Sequence, residues 1–292
     1  MYNIKRLSEC SLEDALQAWN NGFTGYMLDV QLTMESFLKR LVTEQTSPKL
    51  SLIAYHDNQP IGIVLNGTRN IDGKKVAWIG GIAVAPTFRG QGIGDQLLRE
   101  TLSIYQSEDV KISTLEVLID NEKAIQLYKR HGYVSVDRLQ FYVHKDALDS
   151  SPFGDKCIKY EMKKAVPSEV RKLSFYKSML PWQTQWDSVR EGEVLIALDQ
   201  EKEPIGYVIY KRNFNEQGVC TSTVLYQCEV SPEREDYKEI TTCLLTQIYS
   251  PFDHKMKRMT MNLSVNNRVV LSLLKQAGFK MRLEQVYMGK MM

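Results

Sequence analysis

The chain has 292 residues, 43% of them hydrophobic, and a formal charge of +2, which suits two medium domains, each long enough to bury a core. Basic and acidic residues are interspersed, which predicts no nucleic-acid partner and no membrane surface; no apolar run has the length of a membrane span, and the N-terminus lacks a signal-peptide core. Five scattered cysteines (Cys10, Cys157, Cys220, Cys228, Cys243) and four histidines without ligand spacing predict reduced thiols in a cytoplasmic protein, with neither a metal site nor a disulfide framework.

Near the N-terminus, Trp19, Phe23, Tyr26, Met27 and Asp29 read as helix-packing side chains beside a solvated carboxylate. The run from Val76 to Val84 is apolar and rich in β-formers, and Pro86 ends it. Arg89-Gly90-Gln91-Gly92-Ile93-Gly94 comes next, and beyond it Leu98, Leu102 and Tyr105 recur at helical spacing beside Leu97. Alternating glycines let the backbone turn sharply and bring successive N–H groups close to a ligand. A helix starting there adds its own unpaired N–H groups and the positive end of its dipole. The stretch is a place to hold a pyrophosphate. No Gly-Lys-Ser/Thr follows, so it is not a Walker loop, and it lacks the wider final spacing and the preceding βαβ unit of a dinucleotide fingerprint. Further on, Leu115-Glu116-Val117 alternates as a strand. Asn121 then opens a helix carrying Ala124, Leu127 and Tyr128, and Gly132 stands where a left-handed residue closes it.

The chain then repeats itself. Gln59-Pro60-Ile61-Gly62 recurs as Glu203-Pro204-Ile205-Gly206, 144 residues later, and Gly132-Tyr133 recurs as Gly278-Phe279 at an offset of 146. Arg138 to Val143 matches Leu283 to Met288. A near-constant offset over half the chain indicates a tandem duplication, with a boundary between Asp146 and Ala165, where Asp149 to Asp155 carries turn residues. The copies differ where the glycines stood. Ser231 to Lys238 has none, and Glu233, Glu235 and Asp236 would repel a pyrophosphate. Leu274 replaces Tyr128, although Asn267 keeps the place of Asn121.

Arg89, Gly92 and Gly94 fill the Arg/Gln-x-x-Gly-x-Gly/Ala signature that the segment resembles, that of the GNAT acetyltransferase superfamily. Leu115-x-Val117 with Asn121-x-x-Ala124-x-x-Leu127-Tyr128-x-x-x-Gly132-Tyr133 resembles its second signature, in the expected order and distance. The resemblance implies an α/β (α+β) fold of two tandem GNAT-like domains, each a mixed, mostly antiparallel sheet flanked by helices. Residues 1–148 would form the acetyl-CoA-binding domain and 156–292 a degenerate copy. It further implies an acyltransferase with acetyl-CoA as co-substrate and no metal. The acceptor would be a primary amine of a small molecule or of a protein N-terminus.

Site residues follow from the same resemblance. Backbone N–H groups of Arg89, Gly90, Gln91, Gly92, Ile93 and Gly94, with Asp95, would hold the pyrophosphate. Ile82, Ala83 and Val84 would pair with the pantetheine arm, with an N–H near Ile82 facing the acetyl carbonyl. Asn121 is either a simple N-cap or a pantetheine contact. Tyr128 is the candidate general acid. Glu116, set as in the ribosomal-protein N-terminal acetyltransferases, is the candidate base or else an exposed strand glutamate. Phe23, Tyr26 and Asp29 are candidate acceptor contacts. A non-catalytic acyl-CoA-binding or regulatory module is the alternative, and retention of Tyr128 and Glu116 beside an intact loop favours the enzyme. The second copy would shape the acceptor pocket, support the first domain or carry a homodimer contact.

Overall fold

The computed structural model describes residues 2–154 and 159–292; Cys157 and Asp155, from the expected linker, lie outside the described residues. Two compact units emerge, and the first is not one stretch of chain: Met1–Val136 joins Tyr287–Met292, and the continuous stretch Asp137–Val286 forms the second.

The first unit opens with β1 (Tyr2–Arg6), then α1 (Leu12–Gly22) and α2 (Met34–Thr43). Ser11 caps α1 by accepting from Asp14 N, and Thr33 with Ser36 forms a capping box on α2. Next come β2 (Leu52–His56), β3 (Gln59–Ile71) and β4 (Lys74–Val84), joined by two-residue turns. Asp57-Asn58 and Asp72-Gly73 both have positive φ, the geometry that matches strand twist in tight hairpins. The remaining elements are α3 (Ile93–Ser107), β5 (Ile112–Leu118) and α4 (Glu122–Arg130). The strands order as β1-β2-β3-β4-β5, antiparallel except for the parallel β4–β5 pair. Trp19 and Phe37 from the first two helices pack with Ile53, Ile63 and Leu65 on one face of this sheet.

From Asp137 onward, β6 (Val134–His144) belongs to the second unit, which continues through β7 (Glu161–Ala165), β8 (Glu193–Leu198), β9 (Pro204–Phe214) and β10 (Cys220–Val230). Then follow α5 (Tyr237–Tyr249), β11 (Lys257–Thr260), β12 (Leu263–Ser264), α6 (Arg268–Gln276) and β13 (Lys280–Met291). Here β7-β8-β9-β10 are antiparallel, β10–β11 is parallel, and β6 closes against β11 and β12. The shared plan extends to helix ends. Gly132 and Gly278 are both left-handed, and the next residue donates back to Tyr128 O in one unit and Leu274 O in the other.

The division differs from the one expected at 1–148 and 156–292. The second unit takes β6 from Asp137 onward, and the first is completed by the end of β13, with Met292 N donating to Lys111 O at 3.0 Å. The two strands are sequence repeats of each other, so each fits the other's place. A second correction concerns the thiols. Cys10, Cys220 and Cys228 are free, but Cys243 is disulfide-bonded. Among the described residues, no helix is long and apolar enough to cross a membrane, and no group of three metal-ligating side chains could hold an ion.

Candidate active site

The site begins where two strands part. β4 and β5 pair from Val76 with Ile112 to Ile79 with Leu115 and stop, although β4 runs on to Val84 and β5 to Leu118. Gly80 sits in a bulge at that point, because Leu65 pairs with Gly81 while Asn66 pairs with Ile79. Past the bulge β4 stays with β3: Ala83 lies opposite Ile63, and Ala85 N donates to Ile61 O at 2.7 Å. Alternate residues of an antiparallel ladder turn their backbone groups to opposite edges. The N–H groups of Ile82 and Val84 therefore point into the gap that β5 leaves.

A cavity of about 790 Å³ occupies this gap, and Ile82, Ala83 and Val84 form one wall of it. The glycine loop forms another. Gly90 (φ 78°) and Gly92 (φ 82°) are left-handed, and a Cβ on either would meet nothing within 4 Å, so the loop backbone is open to approach. Gly92 is the N-cap of α3, and the first helical bond runs from Gln96 N to Gly92 O. The N–H groups of Ile93, Gly94 and Asp95 precede that ladder and carry the positive end of the helix dipole.

Arg89 braces this loop. Its guanidinium donates to the carbonyls of Val84 (2.9 Å), Gly22 (3.0 Å) and Thr24 (2.8 Å), tying the end of β4 to the turn after α1. Gln91 donates to Thr87 O and does not line the cavity. Asp95 does, and its carboxylate accepts from His131 Nε2 at 2.8 Å and Arg99 Nε at 2.7 Å. Those two bonds, His131's first, hold the Asp95 carboxyl below its ordinary range. The charge on the cavity wall is thus compensated.

On the third side, Asn121 caps α4 by accepting from Ala124 N at 3.3 Å, and Asn121 and Tyr26 both line the cavity. Tyr26 and Phe23 line the cavity and pack edge to face at 5.2 Å, with Phe23 against Trp19 at 4.4 Å. Asp29 is exposed, lies outside the cavity lining, and accepts from Gln31 N. Tyr128 and Glu116 also lie outside the open lining. Tyr128 is 5% exposed, its ring 5.9 Å from that of Tyr133. Burial, with the Tyr133 and Tyr26 hydroxyls nearby, pushes its phenol far up, so it stays protonated at neutral pH. Glu116 is half-buried and accepts from the Trp78 indole N–H at 2.7 Å.

Among the lining residues that sequence patterns did not single out are two cations, Lys123 and Arg130, on α4. Their sevenfold spacing was the available signal, since it puts both on one helix face.

In the second unit the same register is closed. β10 and β11 pair as far as Leu225 with Thr260, but Asn267 Nδ2 then donates to Cys228 O at 2.8 Å, across the opening. Glu229 stands beside it, 5% exposed and ion-paired with Lys177 at 2.6 Å. Burial pushes its carboxyl up despite that partner. Leu274 is fully buried in the core.

Residues 13–133 match the family model of the Acetyltransferase (GNAT) family. An uncharacterized N-acetyltransferase of Methanocaldococcus jannaschii is 28% identical over 138 residues, 45% of this chain and 60% of that protein. N-alpha-acetyltransferase 30 of Dictyostelium discoideum is 32% identical over 95 residues, 32% of this chain and 51% of that protein. The match therefore spans little more than half the length of these relatives. Among solved structures, a tandem GNAT protein from the clavulanic acid biosynthesis pathway superposes with a TM-score of 0.64 at 12% identity, covering 100% of this chain and 98% of that one. A GCN5-related N-acetyltransferase from Sphaerobacter thermophilus gives 0.68 at 13%, covering 99% and 95%. The fold is that of tandem GNAT proteins.

Proposed function

We propose, from the membership of residues 13–133 in the GNAT acetyltransferase family, that the first unit is an acetyl-CoA-dependent N-acetyltransferase acting on a primary amine. The observation that carries this reading is the single cavity in which an open glycine loop meets two parted strands. The curated relatives are named as N-acetyltransferases, which supports the reaction class, and N-alpha-acetyltransferase 30 supports a peptide N-terminus as one form of acceptor beside a small amine.

Acetyl-CoA supplies an acetyl group activated as a thioester. N–H groups from Gly90 to Asp95 hold the pyrophosphate, and Ile82 and Val84 offer theirs to the arm and the acetyl carbonyl. Asn121, which lines the cavity, offers its amide to the pantetheine arm. Tyr128 keeps its phenolic proton and donates a hydrogen bond toward the departing sulfur. Its raised pKa keeps that proton on the phenol at neutral pH. Glu116, steadied by Trp78, draws the proton from the amine, directly or through water. Phe23 and Tyr26 shape the acceptor side; Asp29 has no such place in the cavity wall. The second unit, its opening bridged by Asn267, binds no cofactor. A cytoplasmic location belongs to this reading, with the disulfide at Cys243 as the observation against it.

Calorimetric titration with acetyl-CoA, followed by amine-dependent thiol release, tests the proposal. One site per chain with turnover is expected. Binding without turnover across a broad amine panel would favour the regulatory module, and no binding would sink both.

A further inference from the structure

The α4 helix brings two cations to the cavity that the pyrophosphate loop does not account for. Lys123 and Arg130 both line it, both are exposed, and neither has an ion pair or side-chain hydrogen bond among the described residues. Seven residues are almost two full turns, so the pair shares one face and is separated by about 10 Å along the axis.

The other charges on the wall are committed. Arg89 gives its guanidinium to three carbonyls, and Asp95 is held by Arg99 and His131. Of the wall's charged groups, Lys123 and Arg130 are left to meet an incoming anion. Holding two uncompensated cations over one cavity is electrostatically unfavourable until an anion arrives.

From this placement we propose that Lys123 and Arg130 form a phosphate subsite for the 3′-phosphate of the cofactor's ribose, apart from the pyrophosphate loop on α3. The inference rests on the reading of this cavity as a coenzyme A site. A guanidinium offers a phosphate a fork of two parallel N–H donors, and an ammonium adds a second point charge. The pair makes the site selective for coenzyme A over its 3′-dephospho form. It touches neither the thioester nor the amine.

Calorimetric titration of coenzyme A and of 3′-dephospho-coenzyme A tests this, on the wild type and on Lys123→Gln/Arg130→Gln. Both positions are exposed, so the double variant keeps its fold, and a thermal melt checks it. The wild type is expected to prefer coenzyme A by about 10-fold, the scale of charge-assisted hydrogen bonds discounted for solvent. The variant should lose that preference entirely, with its affinity for the dephospho form unchanged. Equal wild-type affinity for the two ligands would overturn the subsite and leave the cofactor reading standing. A variant that weakens both ligands equally would overturn it too, because the cations would then act on the whole anion. If neither ligand binds the wild type, the cofactor reading itself fails.

Discussion

The two units answer one geometric question in opposite ways. In each, a parallel strand pair ends near the same place, Ile79 with Leu115 and Leu225 with Thr260, and an asparagine caps the next helix. In the first unit that asparagine lines an open cavity; in the second it reaches across and bonds Cys228 O. Ala83 in the first wall corresponds to Glu229 in the second, where a buried carboxylate and Lys177 sit instead. Parted strands alone are therefore not a ligand site. The gap must also be kept free of side chains and faced by backbone donors.

The comparison breaks if cofactor binds twice per chain, and it can be attacked at single residues. Gly92→Glu carries the largest expected effect, a loss of about 100-fold or more in acetyl-CoA affinity by calorimetry. It forces a left-handed backbone on a side chain and puts a carboxylate at the anion site. Next, Tyr128→Phe should lower kcat by about 100-fold in a thiol-release assay with the affinity for acetyl-CoA nearly intact. A wild-type rate would remove Tyr128 from the chemistry.

The paired asparagines sharpen the contrast. Each Asn→Ala change should cost about 1 kcal/mol for the lost cap. Asn267→Ala should cost about 1 kcal/mol more in a denaturant melt, since it strips Cys228 O of a buried donor. Only Asn121→Ala should weaken acetyl-CoA.

The smallest effect is a pH dependence at the cavity wall. Asp95 has a depressed carboxyl pKa in the folded chain. Its stabilisation is therefore present above the unfolded carboxylate value, about 3.9, and is lost as pH falls through the lower folded value. The Tm gap between wild type and Asp95→Asn should accordingly close on acidification from pH 6 to strongly acidic buffer. A gap that widened there would reverse the assignment.

Much of the site could be read from sequence because its demands are local. Left-handed glycines at 90 and 92, the cap at Asn121 and the closing Gly132 are each fixed by neighbours in the chain. The loss of glycine between Ser231 and Lys238 was equally visible. What escaped depends on distant partners. Arg89 keeps its motif position, but its carbonyl acceptors at Gly22 and Thr24 have no signature. Asn267 keeps the place of Asn121 in the sequence, and its bond across the gap to Cys228 O has no signature there. The disulfide at Cys243 follows no recognisable spacing. The exchange of β6 and the end of β13 was hidden by the similarity of their sequences, which leaves the pattern unchanged whichever strand goes where.

That exchange has a consequence for synthesis. The strand beside β5, which carries Glu116, comes from Tyr287–Met292, so the first unit cannot complete its sheet until translation has passed through the whole second half. At ribosomal speeds of about 5–20 residues per second, the nascent β5 edge waits roughly 10–35 s for its partner. During that interval the edge stays unpaired, the state in which a strand is most exposed to pairing with another chain.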